Sequence, residues 1–277
     1  MKIPFIAWLT LQEARRRKLL WVGAILGIAF LLLFGVGYYF MYRDISRQMG
    51  TNALQLREVS NFFVMAGLYA ANFLVVMVSV LASVDTISGE IASHSIQSIV
   101  TKPLRRWEVL LGKWCGFATI VVASVLLLAG GVVLIGWAIS RHAPNNVASG
   151  MALMSLEGLI FLTVTLLGGT RLSTLANGVL AFGLFGLAFI GGWTEQIGSL
   201  IRNEAAVNVG IISSLIIPAE ALWKRAAYLM QPPALSSLSV TPFSATSVPS
   251  PAMVMYAVLY GVVALVAAIY LFEQRDL

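Results

Sequence analysis

This sequence predicts an all-α protein that crosses a membrane six times, on three observations. Hydrophobic residues make up 59% of the 277 and charged residues only 11%, with a mean hydropathy of +0.88, which lies outside the range of a water-soluble domain. Uncharged apolar runs recur at the roughly 20 residues that a helix needs to cross a hydrocarbon core of about 30 Å. These runs are continuously apolar rather than alternating. That selects helices over a β-barrel, since lipid forces every backbone group to find its partner inside the structure. The chain reads as one transmembrane domain, 1–277.

Residues 1–18 place Pro4 at a helix start, followed by Phe5, Ile6, Trp8, Leu9 and Leu11, then Gln12, Glu13 and the basic run Arg15 to Lys18. Two readings fit. One is an amphipathic helix in the membrane interface, with Trp8 at headgroup depth and the basic run at anionic lipid; the other is a plain extension of the first span. The spans follow at about 19–41, 62–84, 114–140, 151–170, 172–194 and 252–272. The first is too long for a signal-peptide core and lacks a small-residue cleavage site, so it is expected to be retained. The fourth reaches full length only by including Glu157, about two turns from its start. Gly130 and Gly131 in the third span, and Gly183 and Gly186 in the fifth, either permit close helix approach or reflect how common glycine is in membrane helices.

Basic residues orient the spans, because Lys and Arg accumulate on the cytoplasmic side. With the N-terminus inside, cytoplasmic segments collect Lys2, Arg15 to Lys18, Lys102, Arg105, Arg106, Lys113, Arg171 and Arg275. The short outer loops hold only Arg43, Arg47, Arg57 and Arg141. The expectation is a multi-pass protein of the inner (plasma) membrane with both termini cytoplasmic. The net charge of +6 is then mostly topology and contact with lipid headgroups, not a sign of a nucleic-acid partner.

The outer segment 195–251 is apolar without a clean span. Val207 to Ile217 is too short to cross and Pro218 follows it, which suggests a short re-entrant or interfacial helix and then a second helix, Ala219 to Met230. Glu220, Lys224 and Arg225 give that second helix a polar side, leaving Leu222, Trp223 and Tyr228 for lipid or the outer ends of the spans. The Pro- and Ser-rich stretch from Gln231 to Pro251 is an extended connector.

Residues 85–113, DTISGEIASHSIQSIVTKPLRRWEVLLGK, are the one long polar interruption on the cytoplasmic side. Ile87, Ile91, Ile96, Ile99 and Val100 recur at helical intervals, and Pro103 disfavours helix at Lys102. Two short helices result: one ends near Thr101, and the second starts at Pro103, carrying Arg105, Arg106 and Glu108 before Gly112 and Lys113. Held at both ends by spans, this connector is suited to receive a push from a cytoplasmic partner; a solvated loop bearing topology charges is the alternative.

Several chemistries are excluded. A lone Cys115 and two histidines, His94 and His142, provide neither a disulfide nor metal-ligand spacing. A P-loop needs two glycines four residues apart followed by Lys and Ser or Thr, so that backbone N–H groups and the Lys reach phosphates. None occurs, because Gly112 and Lys113 are followed by Trp114. No Gly-x-Ser-x-Gly elbow is present and neither histidine lies in a span, which disfavours an intramembrane hydrolase. Only Glu157 is an ionisable residue inside a predicted span, so a proton pathway is disfavoured as well. Glu157 either pairs with Arg141, Arg171 or a headgroup, or forms a polar site in span four.

The residues Glu90 and Ile91, then Ser95 to Gln97, and KPLRRWEVLLGK from Lys102 to Lys113 resemble the intracellular loop of type-2 ATP-binding-cassette (ABC) transporter permeases. The N-terminal EARRRKLLW, Glu157, the segment SLIIPAEALWKRAAYL and the terminal FEQRDL extend the resemblance over nearly the whole chain, to the six-span subgroup with a short N-terminal helix. His94 departs from the pattern, standing where the family usually has Gly; it is not read as a ligand or a pH switch.

The resemblance implies the permease subunit of an exporter. Two copies, as a homodimer, would form the path, and separate nucleotide-binding subunits would hold ATP and Mg. It assigns the contact with those subunits to Glu90, His94, Lys102, Pro103, Arg105, Arg106 and Lys113. No catalytic residue, cofactor or metal is expected in the chain itself, and the direction of export comes from the family alone. Mainly apolar and small span residues favour a lipid-like or amphipathic cargo. The alternative function is a non-transporting membrane assembly or sensor subunit that uses an ATPase partner.

Overall fold

The computed structural model describes residues 2–16, 18–49, 53–89, 105–231 and 248–274. Nine helices carry most of the described residues: α1 (Lys2–Arg16), α2 (Lys18–Met49), α3 (Ala53–Ser83), α4 (Arg106–Ser140), α5 (Val147–Gly169), α6 (Thr174–Leu200), α7 (Glu204–Ile216), α8 (Ala219–Met230) and α9 (Pro251–Glu273). Among the described residues there is no strand. Six helices (α2, α3, α4, α5, α6 and α9) are long and apolar enough to cross a membrane.

The ends of these helices follow local chemistry. The Ser173 hydroxyl accepts from the Ala176 N–H at 3.4 Å and the Asn203 side chain from the Ala206 N–H at 3.2 Å, capping α6 and α7. Pro251 occupies the first turn of α9, where its missing N–H costs nothing. Asn146, ahead of α5, adopts a left-handed φ of 43°, which asparagine tolerates better than most residues.

The centre of the bundle is α3 and α5, with α4 and α9 packed around α5 and α2 on the outside. Val64, Met65, Leu68, Ala71 and Val75 of α3 meet Phe117, Val121, Val125 and Leu128 of α4 and Met154, Leu162 and Leu166 of α5 in the larger core cluster. These positions recur every three or four residues, so each helix turns one stripe inward. The outward stripes are apolar too. Trp21, Ile25, Leu32, Leu33 and Val36 of α2, and Val258, Leu259, Val262 and Val266 of α9, are all exposed. In water such a surface would not stay soluble; a bilayer covers it.

Helix α1 packs against the start of α4. Cβ atoms added at Gly112 and Gly116 would lie 3.2 Å from the Ile3 carbonyl oxygen and 2.9 Å from that of Ala7, so the two backbones nearly touch. Gly112 and Gly116 form a Gly-x-x-x-Gly pair, whose absent side chains permit this approach. Ile6, Thr10 and Ala14 are buried on that side, while Phe5, Trp8 and Leu9 point out.

Two sequence expectations change. No separate second loop helix occurs, because the run that carries Arg106, Glu108, Gly112 and Lys113 is the start of α4, continuous to Ser140. Its apolar stripe continues unbroken through Leu110 and Phe117, so nothing ends the helix at Gly112. The first loop helix, expected to end near Thr101, lies outside the described residues beyond Gly89. Finally, α7 and α8 form a pair bent by 105° at Pro218. Helix α8 lies against α5 and α6 and buries its polar side instead of showing it to water.

Candidate functional site

Two polar regions stand out, one at the loop end of the bundle and one in its middle. At the loop end, α3 gives way at Val84 to turns, and Ile87 is buried. The Ser88 and Thr174 hydroxyls lie 2.8 Å apart, and Thr174 Oγ1 donates to Asp85 Oδ1 at 3.1 Å. Asn177, fully buried in the first turn of α6, donates through Nδ2 to the carbonyl oxygens of Thr165 (2.9 Å) and Val84 (3.3 Å). The outgoing side of α3 is thereby fastened to the end of α5 and the start of α6.

The return into the bundle is fastened as well. Arg105 is extended, and its backbone N–H donates to Glu108 Oε2 at 3.0 Å, satisfying one of the free donors at the start of α4. Arg106 Nη1 donates to the Glu273 carbonyl oxygen at 3.1 Å, tying α4 to the last turn of α9. Arg105 is exposed and Arg106 half-buried, whereas Lys113 is buried beside the α1 contact. Of the residues that the sequence marks for partner contact, Glu90, His94, Lys102 and Pro103 lie outside the described residues.

The second region surrounds Glu157. Because α5 begins at Val147, Glu157 is ten residues into a 23-residue helix, roughly 15 Å from its start and near mid-span. It is 2% exposed, and Asn72 Nδ2 of α3 donates to its Oε2 at 2.9 Å. The expected partners Arg141 and Arg171 stand at opposite ends of α5, too far away along the helix. A neutral amide on the facing helix satisfies the carboxylate instead.

Glu157 has charged company that its own span did not reveal. Glu195 lies within α6, which runs on to Leu200, and accepts from Lys224 Nζ of α8 at 2.8 Å in a buried ion pair. Glu220 of α8 is buried too, beside Gly192, where no side chain larger than hydrogen would fit. A cavity of about 200 Å³ lies between α3, α5, α6 and α8, with Asn72, Glu157 and Glu220 as its polar lining and Tyr69, Phe73, Phe185 and Phe189 as its rings. The sequence showed Glu220 and Lys224 as the polar side of α8. What it did not show is that α8 folds back into the bundle.

Among the glycines, Gly131 admits the Leu31 side chain of α2, whereas a Cβ at Gly183 or Gly186 would meet nothing within 4 Å. Glycines that bring backbones together include Gly112 and Gly116, whose four-residue spacing was visible in the sequence, and Gly198 and Gly210, where α6 and α7 meet.

A protein-family model described as "ABC-2 family transporter protein" matches residues 5–277. Among curated proteins no match was found.

Proposed function

Taking as premise that this chain belongs to the ABC-2 transporter family, we propose that it is the permease of an exporter driven by separate ATP-hydrolysing subunits. Membership makes the chain a membrane transport component with several spans. The further reading is that two copies enclose the path and two nucleotide-binding subunits, carrying ATP and Mg, dock on residues 85–113. The loop end of the bundle then faces the cytoplasm across the inner membrane, with both termini on that side. Helix α1 lies at the interface with Phe5, Trp8 and Leu9 toward lipid.

The observation that carries this reading is the double anchorage of the loop. Its first residues are tied to α5 and α6 through Asn177, Thr174 and Asp85, and its last to α9 and α1 through Arg106 and the Gly112–Gly116 contact. A displacement between residues 90 and 104 is therefore delivered to most of the bundle at once. Closely packed interiors shift as units between discrete arrangements, and a loop rooted in several helices can bias which arrangement is occupied. Arg105 and Arg106 stand at the accessible edge of this region, while Lys113 acts from inside the α1–α4 contact.

Crosslinking tests the proposal. In a Cys115→Ser background, single cysteines from residue 90 to 106 are reacted with a co-expressed nucleotide-binding subunit, with and without ATP. Crosslinks that cluster on the loop and change with ATP are expected; a purified complex without any loop crosslink overturns the docking assignment. Reconstituted vesicles separate the two functions: ATP-dependent movement of an amphipathic cargo marks export, and ATP turnover gated only by another membrane protein marks an assembly role.

A further inference from the structure

The polar groups around Glu157 are mismatched in a way that specifies a ligand. Glu157, Glu195 and Glu220 are three buried carboxylates, and the basic side chain beside them is Lys224, bonded to Glu195 and attracted to Glu220. Glu157 and Glu220 face the same cavity and repel each other. A buried charge is costly unless it is paired, and one lysine shared by Glu195 and Glu220, with only an amide at Glu157, leaves this cavity short of positive charge.

Asn72 provides a second, independent pointer. The Asn72 amide turns its Nδ2 to Glu157, donating to Oε2 at 2.9 Å. Its Oδ1 is then left buried with no hydrogen-bond partner, on a side chain that lines the cavity and is 3% exposed. Buried polar atoms are rarely left unpaired, and an unpaired acceptor beside two carboxylates asks for a donor or a cation.

The walls then choose the kind of cation. No three Asp, Glu, His or Cys groups among the described residues converge closely enough to hold a metal ion. Rings do converge: Phe185 packs against Phe73, Phe161 and Phe189 with centroids 5.4, 5.9 and 6.5 Å apart, and Tyr69 against Trp223 at 5.0 Å. Aromatic faces beside carboxylates suit an organic ammonium, which is attracted by ring quadrupoles and is less costly to strip of water than a small metal ion. Phe73 and Phe189 are 43% and 39% exposed on α3 and α6, so the cavity opens sideways between these helices. An amphiphile can thus enter with its head while its tail stays among apolar surfaces.

We propose that the cavity between α3, α5, α6 and α8 binds the ammonium group of an amphipathic organic cation, with Glu157 and Glu220 as counter-charges, Asn72 Oδ1 as acceptor and Phe185 and Phe189 as ring walls. This deepens the exporter reading by naming its cargo class, and it rests on that reading for the step from binding to transport.

The test is binding of tritiated hexylammonium, whose N–H groups can reach Asn72 Oδ1, to the full chain in lipid nanodiscs, with empty nanodiscs as background. Saturable binding is expected, with hexanol and hexyl sulfate failing to compete. Glu157→Gln and Glu220→Gln should each weaken it by about tenfold or more, as the loss of a buried counter-charge requires. Phe189→Ala at the cavity mouth should weaken it several-fold, and Gly183→Ala, away from the cavity, should not. Melting temperatures monitor folding, and the near-isosteric Gln variants should keep theirs. The proposal fails if binding does not saturate, if hexanol competes as well as the cation, or if both Gln variants bind like wild type. It also fails if sodium ion displaces the probe at equal concentration. No ATP or partner subunit enters this assay, so its failure leaves the crosslinking result standing, and the reverse also holds.

Discussion

Two buried asparagines, Asn177 at the loop end and Asn72 at mid-span, show how one side chain serves different ends in different surroundings. Both donate from Nδ2 to a group on another helix, and both leave Oδ1 without a partner. Asn177 spends its N–H groups on two backbone carbonyls, and its oxygen is pressed against Gly168, where even a methyl group would collide with it. It is a closed fastening with no room for anything else. Asn72 donates to a carboxylate and its side chain lines a cavity. An unpaired acceptor in a closed contact is a cost of packing; the same acceptor on a cavity is an opening for a ligand.

The comparison depends first on Lys224 being committed to Glu195. Lys224→Met should destabilise the protein by about 3–5 kcal/mol, since it strands a buried carboxylate, and adding Glu195→Leu should recover most of the loss. Thermal unfolding in nanodiscs reads both. Without recovery in the double variant, Lys224 serves Glu220 instead, and the cavity is not short of a cation.

Next comes the contrast itself. Asn177→Leu should cost about 2–4 kcal/mol, from two lost hydrogen bonds and a branched side chain forced against Gly168. Asn72→Leu should cost about as much, since it takes the hydrogen bond from the buried Glu157 carboxylate, and it should also remove ammonium binding. Ammonium binding that survives Asn72→Leu would make Asn72 a second closed fastening and break the comparison. The smallest expected effects come from glycines. Gly168→Ala should cost roughly 1–3 kcal/mol through Asn177, whereas Gly183→Ala should stay within about 0.5 kcal/mol of wild type or gain slightly from better helix propensity. Should Gly183→Ala instead weaken self-association, as measured by dimer crosslinking, the outer face of α6 is a contact between copies.

The fold was largely legible, because a bilayer imposes a simple rule. A segment that crosses must be apolar for its whole length, and Leu19 to Met41 or Ala252 to Phe272 satisfies that rule without reference to any neighbour. Helix limits were less legible where polar residues continue a helix beyond the apolar run. Arg106 to Lys113 belong to α4, and Glu195 to Leu200 belong to α6. Glu157 accordingly moved from the edge of a span to its middle. Its partner could not be foreseen, since Asn72 is 85 residues away and looks unremarkable in an apolar run.

The sequence by itself determined the number and kind of spans, the charge asymmetry along the chain and the absence of a P-loop, because composition and spacing within one segment suffice for each. Only the tertiary structure decided where α8 goes. As a sequence, Glu220 to Tyr228 describes an amphipathic helix suited to a membrane surface; folded back at Pro218, it brings Glu220 and Lys224 into the bundle beside Glu157 and Glu195. The reason is physical. Hydropathy reports the cost of burying a charge alone, whereas the arrangement of helices determines whether other groups are there to share it.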